Sequence, residues 1–540
     1  MREWWRDAVI YQVYPRSYQD TDGDGIGDLR GIIARLPHIA SLGVDVIWLS
    51  PFFTSPDRDM GYDVSDYCGV NPLFGTIGDF EDLTAEAHRL GLKVIIDQVL
   101  SHSSDKHPWF TESRSSRDNP KADWYVWADP KADGTPPNNW PSVFGGSAWT
   151  FDTRRHQYYL HNFLAEQPDL NFHNPAVVDA LLATMRFWLE RGVDGFRLDT
   201  VNYYVHDARL RDNPASDWQL GHFPGNPYEA QIHLYSKSRP ENIAVLERMR
   251  ALCDEFGPTM MVGEVGEGGL RQIEIMGEYT TGKGRLHMAY SFAMMSHDHS
   301  PGHFRRCIEA FLEHAPDGWP CWSFSNHDVA RHVSRWTPAG GDSDAVAKQS
   351  IALLCSFPGT LGLYQGEELG QTETDVLFEE LQDMARIAFW PEDKGRDGCR
   401  TPMTWESTAP NAGFTTGTPW LPVKAPQVAH ALDLQEGRND SVLAAYRGTL
   451  AFRKATKALR EGRTSFLDLP DPVLGVVREA KGQRITALFN LSDKAVKLKV
   501  KGKAMVTGPA SGKLKDEALK LPAWGFVYLE SDKALKVAMG

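Results

Sequence analysis

Arginine and aspartate stand two residues apart in Gly195-Phe196-Arg197-Leu198-Asp199-Thr200-Val201, a short run rich in β-forming residues. Side chains alternate between the faces of a strand, so Arg197 and Asp199 share one face while Phe196 and Leu198 share the other. A carboxylate beside a guanidinium stays ionised, as a nucleophile requires. A second acid, Glu264, follows Met260, Met261 and Val262, an apolar setting that raises a carboxyl pKa towards general-acid use. Asp97 with His102, and His327 with Asp328, close two more runs of the same kind. Two carboxylates at one mouth are what retaining glycosidic cleavage requires: one attacks the anomeric carbon and the other protonates the leaving oxygen. Each acid alone is more simply read as half of a structural ion pair. All of them at strand ends together favour the chemical reading.

The elements that hold these residues follow a recurring phrase. Segments 43–52, 91–100 and 192–201 each follow a helix-like stretch, open with Gly and continue as a β-rich run. Gly is the usual left-handed stop of a helix, and the run behind it reads as a buried parallel strand. Residues 8–14, 259–264, 286–293, 320–326 and 360–364 complete a set of eight strand candidates. Eight βα units predict a (β/α)8 TIM barrel, an α/β fold, over 1–102 and 173–460; an open doubly wound sheet is the other architecture with this alternation. Residues 103–172, with Trp109, Trp124, Trp127, Trp140 and Trp149, predict an inserted subdomain after strand 3, over the C-terminal face where a barrel displays its working residues. Residues 461–540 predict a C-terminal antiparallel β-sandwich domain: 494–502 alternate polar and apolar, and 523–529 resemble a further strand.

Composition removes whole classes. The 540 residues are 42% hydrophobic and 24% charged, globular proportions. No apolar run approaches the roughly 18 residues of a membrane helix, and Met1-Arg2-Glu3-Trp4-Trp5-Arg6-Asp7 carries charge where a signal peptide has its apolar core. A net charge of −14 disfavours nucleic acid and anionic membrane as partners. Six scattered cysteines without a C-x-x-C pair suggest reduced thiols in a cytoplasmic protein. Nucleophilic-serine, Walker and H-E-x-x-H signatures do not occur. His297, His299 and His303 read as a polar loop rather than a zinc site, and Glu267 as a solvated loop acid. Aromatic residues reach 11%, and their faces suit the stacking of sugar rings.

GFRLDTV around Asp199, VGEV around Glu264, FSNHD at 324–328 and DQVLSH at 97–102 resemble the conserved regions of the α-amylase family, glycoside hydrolase family 13. Ser101 stands where Asn is more usual in that family. IYQVYPRSYQD (10–20), GYDVSDY (61–67), QPDLNF (167–172) and RTPMTW (400–405) narrow the likeness to its α-glucosidase and oligo-1,6-glucosidase subgroup. The resemblance implies that Asp199 is the nucleophile, Glu264 the acid/base and Asp328 a third carboxylate gripping sugar hydroxyls. It implies that His102, Arg197 and His327 hold the glucose nearest the cut, and that Asp59 and Tyr62 bind or stack on it. Arg396 or Arg400 would pair with Asp59, closing the pocket behind a terminal glucose. Phe144 and Phe163 are candidates for pocket walls or for the core of the insertion. Thr200 after the nucleophile tilts linkage choice towards α-1,4 rather than α-1,6.

Asp20-Thr21-Asp22-Gly23-Asp24-Gly25-Ile26-Gly27-Asp28 sets carboxylates at alternate positions around glycines, which suits Ca²⁺ or Mg²⁺; the alternative is an Asx-rich turn without an ion. The subgroup implies a structural cation held by Asp20, Asp22, Asp24, Asp28 and the Ile26 carbonyl. The expected activity is a retaining, exo-acting α-glucosidase on short, maltose-type α-glucosides, with transglucosylation to alcohol acceptors. The alternatives are an oligo-1,6-glucosidase, or a glucosyltransferase or isomerase acting on sucrose or maltose, although the R-L-D-R-D loop of sucrose isomerases does not occur. A non-catalytic transporter partner or a sugar-binding module would have no use for these acids.

Overall fold

Glycines frame the strand that carries Arg197 and Asp199. Gly192 ends the preceding helix at φ +84. At Gly195, φ is +156 and an added Cβ would meet the Met260 carbonyl oxygen at 1.9 Å, so only glycine allows the neighbouring strand this close. The computed structural model describes residues 3–217 and 226–540. Eight parallel strands form one sheet: β1 (Val9–Val13), β2 (Val46–Leu49), β3 (Lys93–Gln98), β4 (Gly195–Leu198), β5 (Met260–Val265), β6 (Met288–Ser291), β7 (Cys321–Ser323) and β8 (Thr360–Tyr364). Every strand candidate of the sequence matches one of them, with β5 running one residue past the expected 259–264. Their order is β6-β5-β4-β3-β2-β1-β8-β7, and a parallel bridge from Ala289 to Pro320 joins the two ends into a barrel.

Register and alternation place the polar layer. Arg197 of β4 lies level with Asp97 of β3 and with Val262 of β5. Val262 belongs to the barrel interior with Ile10, Val46, Trp48, Ile95, Met260, Met288 and Tyr290. Phe196, Leu198, Met261 and Ile96 belong instead to the layer between strands and helices. The helices start on side-chain caps: Asp28 accepts from Gly31 N at Leu29–Ser41, a Thr76–Asp79 capping box opens Ile77–Arg89, and Asn174 precedes Pro175–Leu189.

Between β3 and β4, a short helix (Pro108–Ser113) and a three-stranded antiparallel sheet (Trp127–Ala128, Trp149–Asp152, Gln157–Leu160) form an aromatic-rich unit. Its small core holds Val126, Trp140, Ala148, Trp149 and Leu160. From Arg463 onwards the strands are antiparallel, in one five-stranded and one four-stranded sheet. Leu488, Val527 and Leu529 of the first and Leu498, Val500 and Leu519 of the second share one apolar cluster. Tyr528 Oη donates to the Ala352 carbonyl at 2.5 Å, tying this unit to a barrel helix. No helix among the described residues is long and apolar enough to cross a membrane.

Candidate active site

A cavity of about 830 Å³ opens at the C-terminal ends of the barrel strands. Its depth is organised by one cation. Arg197 is fully buried; its Nη1 lies 2.7 Å from Asp97 Oδ1 and 2.7 Å from Asp199 Oδ1, and its Nη2 lies 2.6 Å from Glu264 Oε1. Tyr290 Oη accepts from Arg197 Nη2 at 2.9 Å and donates to Glu264 Oε1 at 2.9 Å. Thr200 N donates to Glu264 Oε2 at 3.1 Å. Two acids expected at separate strand ends are thus held by the two terminal nitrogens of a single guanidinium.

Burial pushes Glu264 up to about 7 and Asp199 up to about 7, with Arg197 pulling each down. For Asp199 this corrects the sequence reading, in which Arg197 alone keeps the acid ionised. The guanidinium is shared with Asp97 and Glu264, so its pull on each carboxyl is diluted while desolvation acts on all. For Glu264 the direction agrees, but hydrogen-bond donors rather than methionines surround the carboxyl. Asp328 goes the other way: burial raises it, but the Arg396 and Arg400 guanidiniums, 3.3 and 3.0 Å away, outweigh burial and hold it well below the usual carboxylate range.

His327 is buried and neutral, its pKa pushed well down by desolvation. Its Nδ1 accepts from Gln12 Nε2 at 2.8 Å, which leaves the proton on Nε2, 2.5 Å from Tyr62 Oη. The Tyr62 ring stacks on the imidazole at 5.2 Å between centroids. Arg396 Nη2 pairs with Asp59 Oδ1 at 2.7 Å, and Gln167 Nε2 donates to the other Asp59 oxygen at 3.0 Å. Arg400 does not reach Asp59; it lies 3.0 Å from Asp328 and donates to the His327 carbonyl at 2.7 Å. The choice the sequence left open therefore falls on Arg396.

Asp59, Tyr62, His102, Phe144, Phe163, Asp199, Thr200, Glu264, Asp328 and Arg396 all line the cavity. Arg197, His327 and Arg400 are fully buried behind its wall, so they act on the space through the side chains they hold. Phe163 touches the rings of His102, Phe144 and Tyr203. Three contributions escaped the sequence reading. Asp383 grips Arg396 at Nε and Nη2, each 2.8 Å away. Lys237 is buried against Tyr203 Oη at 3.1 Å and Glu267 at 3.4 Å. Glu267 is accordingly an ion-paired cavity residue and not a solvated acid. Tyr228 stacks on His233 at 3.7 Å beside them. All lie on long loops after β4, β5 and β8 that carry no periodic signal. His299 packs on Trp336 at 4.5 Å and His303 Nε2 lies 2.8 Å from the Ala293 carbonyl.

In the loop after β1, Asp20, Asp22 and Asp28 offer oxygens within 4.8 Å of one another, the one such grouping among the described residues. Asp24 lies outside this grouping, and its Oδ1 accepts from Ile26 N at 2.8 Å. Asp20 accepts from Asp22 N, Gly23 N, Gly25 N and Thr415 Oγ1, and Asp28 caps the first helix. Burial works against the charge of Asp20, but these donors hold its pKa below the ordinary value. Ionised, hard oxygen donors at this spacing fit Ca²⁺ or Mg²⁺.

The profile described as "Alpha amylase, catalytic domain" matches residues 12–462. The chain is 57% identical over 535 residues to a "Probable alpha-glucosidase" of Rhizobium meliloti (strain 1021), covering 98% of this chain and 97% of the relative. It is 39% identical to an "Oligo-1,6-glucosidase" of Heyndrickxia coagulans, over 92% of this chain and 93% of that one. Among solved structures, the alpha-glucosyl transfer enzyme XgtA superposes with a TM-score of 0.95 at 52% identity, covering 98% of this chain and 100% of its own.

Proposed function

The chain belongs to the α-amylase family of glycoside hydrolases, and we propose that within it the protein is a retaining, exo-acting α-glucosidase for short α-1,4-linked glucosides such as maltose. One observation carries this reading: Asp199 and Glu264 share the Arg197 guanidinium, and the Asp59–Arg396 ion pair lines the same cavity. That pair is read as the wall behind a single terminal sugar.

In this reading Asp199 attacks the anomeric carbon while protonated Glu264 delivers its proton to the leaving oxygen. Glu264 then removes a proton from water, and the glucosyl-enzyme is released with its configuration retained. One proton shared between two acids near neutrality is the state this needs. Asp328, kept ionised by its cationic neighbours, is an acceptor for sugar hydroxyls. The likeness to a glucosyl transfer enzyme and the aromatic outer cavity of Phe144, Phe163, Tyr203 and Tyr228 favour alcohol acceptors as a second route. Six free cysteines suit a reducing compartment, the cytoplasm.

The test follows maltose by proton NMR. α-Glucose appears first and mutarotates afterwards, and soluble starch is turned over far more slowly than maltose. First release of β-glucose would overturn retention, and equal use of starch would overturn the closed pocket.

Asp20, Asp22 and Asp28 would hold a structural Ca²⁺ or Mg²⁺ remote from the acids. At about 100 times its dissociation constant such an ion stabilises the fold by about 2.7 kcal/mol. Chelator is therefore expected to lower the melting temperature of the wild type and leave Asp22→Ala unmoved. Identical melting of the wild type with chelator and with added cation would refute the site.

A further inference from the structure

Thr200 sits at φ +39 and ψ +47, a left-handed conformation that is strained for a β-branched residue. The turn aims two donors of this residue at two different acids: its N–H at Glu264 Oε2, 3.1 Å away, and its hydroxyl at Asp199 Oδ2, 3.2 Å away. The hydroxyl has a second neighbour, Ser101 Oγ, at 3.1 Å. Ser101 is buried, and its Oγ also lies 2.8 Å from His102 Nδ1.

Proton directions in this chain follow from its ends. The Tyr62 carbonyl can only accept, and it lies 3.0 Å from His102 Nε2, so that nitrogen carries hydrogen. Gln167 Nε2 is 3.2 Å from the same nitrogen, but its amide donates to Asp59. His102 is neutral, its pKa pushed down to about 4 by burial, so Nδ1 is a bare acceptor. The Ser101 proton therefore goes to His102, which leaves the Ser101 oxygen with open lone pairs. The single Thr200 hydroxyl proton must choose between that oxygen and Asp199.

We propose that Ser101 is a positioning residue that receives the Thr200 hydroxyl when Asp199 attacks, so that the nucleophile sheds its hydrogen bond at the moment its charge is spent. This rests on the α-glucosidase reading above. In the resting enzyme the charged carboxylate is the stronger acceptor and holds the Thr200 proton. During attack an electron pair of Asp199 Oδ2 forms the bond to the anomeric carbon. The pair of the broken bond leaves with the glycosidic oxygen, which takes the Glu264 proton. Thr200 loses no proton; its O–H turns from Oδ2 to Ser101 Oγ. Besides Thr200, Asp199 is faced by Arg197 on its own strand, Asp97 on β3, Glu264 on β5, Asp328 after β7 and the phenols of Tyr62 and Tyr204. None of these groups is altered by the variants below.

The test is kcat/KM for 4-nitrophenyl α-glucoside against pH in wild type, Ser101→Ala, Thr200→Val and the double variant. Ser101→Ala is expected to lower kcat/KM about fivefold, the worth of one neutral hydrogen bond made in the transition state, without moving the acid limb. Thr200→Val moves the acid limb to higher pH, because Asp199 loses a donor to its charged form. In the Thr200→Val background Ser101→Ala has no further effect, and Ser101→Thr restores the wild-type rate. A full Ser101→Ala effect in that background, or none in the wild type, overturns the proposal. If Ser101→Ala does not fold, Thr200→Val decides alone: an unmoved acid limb means its hydroxyl never rested on Asp199. Labelling by 5-fluoro-α-glucosyl fluoride, read by peptide mass, separates the two levels. Failure to label Asp199 sinks the nucleophile assignment itself, whereas labelling leaves the variants to judge Ser101.

Discussion

Replacing Asp199 by alanine is expected to lower kcat/KM for maltose by about 10⁴-fold or more, the scale seen when a covalent nucleophile is removed from a preorganised site. The loss has a diagnostic rescue. Alanine leaves a gap where the carboxylate stood, with Arg197 Nη1 behind it. Azide entering that gap attacks an activated α-glucoside from the nucleophile's side and yields β-glucosyl azide. Glu264→Gln fails differently: it spares 4-nitrophenyl α-glucoside, whose leaving group needs little protonation, far more than maltose. α-Glucosyl azide from Asp199→Ala, or equal losses on both substrates in Glu264→Gln, would reverse the two assignments.

The second large effect belongs to a residue that touches no solvent. Arg197→Met removes the one cation between Asp97, Asp199 and Glu264 and leaves buried acids without compensation. Removing one partner of a buried pair costs about 3–5 kcal/mol. The cost depends on pH with a definite sign. Without Arg197 the folded-state pKa values of these acids rise further above the unfolded value of about 4. Below the unfolded value the acids are neutral in both states and the cost is small. As pH climbs from the unfolded value, acids that stay protonated in the fold cost stability, and that cost stops growing only above their folded values. In the wild type those values are about 6 for Asp97 and about 7 for Asp199 and Glu264, so urea unfolding of variant and wild type should run in parallel up to about pH 6 and diverge as pH rises beyond about 7. A gap that stays constant, or a variant more stable at the higher pH, would show that Arg197 does not neutralise this layer.

The barrel was readable because its signal is local. β4 is framed by glycines that any other residue would clash with or strain, and its alternation of Arg197 and Asp199 against Phe196 and Leu198 declares two faces. The acids at strand ends were readable for the same reason. What stayed hidden depends on loops that meet only in three dimensions. Asp383 is 13 residues from Arg396, with no period linking them, yet it is that arginine's main partner. Lys237 and Glu267 come from different βα units, and nothing in the spacing of either suggests that they pair. Asp24 sits at the same interval as Asp20 and Asp22, yet Asp20, Asp22 and Asp28 are the acids whose oxygens lie within 4.8 Å of one another. Spacing reveals which residues are available, and the conformation of the turn decides which of them converge. The proton affinity of Asp199 was misjudged for a related reason: sequence shows that an arginine is near, but not how many acids share it.

The register of β3, β4 and β5 has a consequence for how the chain avoids wrong structures. Asp97 stands beside Arg197, and Arg197 beside Val262. Sliding β4 by one residue would exchange its faces, turning Arg197 and Asp199 into the layer of Phe196, Leu198 and Met261 while the phenylalanine filled the place of the guanidinium. Such a slip would bury an unpaired cation in hydrocarbon and leave Asp97 facing a phenylalanine, whereas an all-valine strand would tolerate the same error at little cost. The ionic layer is thus also an alignment key: the groups proposed to cut the substrate tell the ribbon where to stop sliding, and a misaligned barrel is penalised before any sugar arrives.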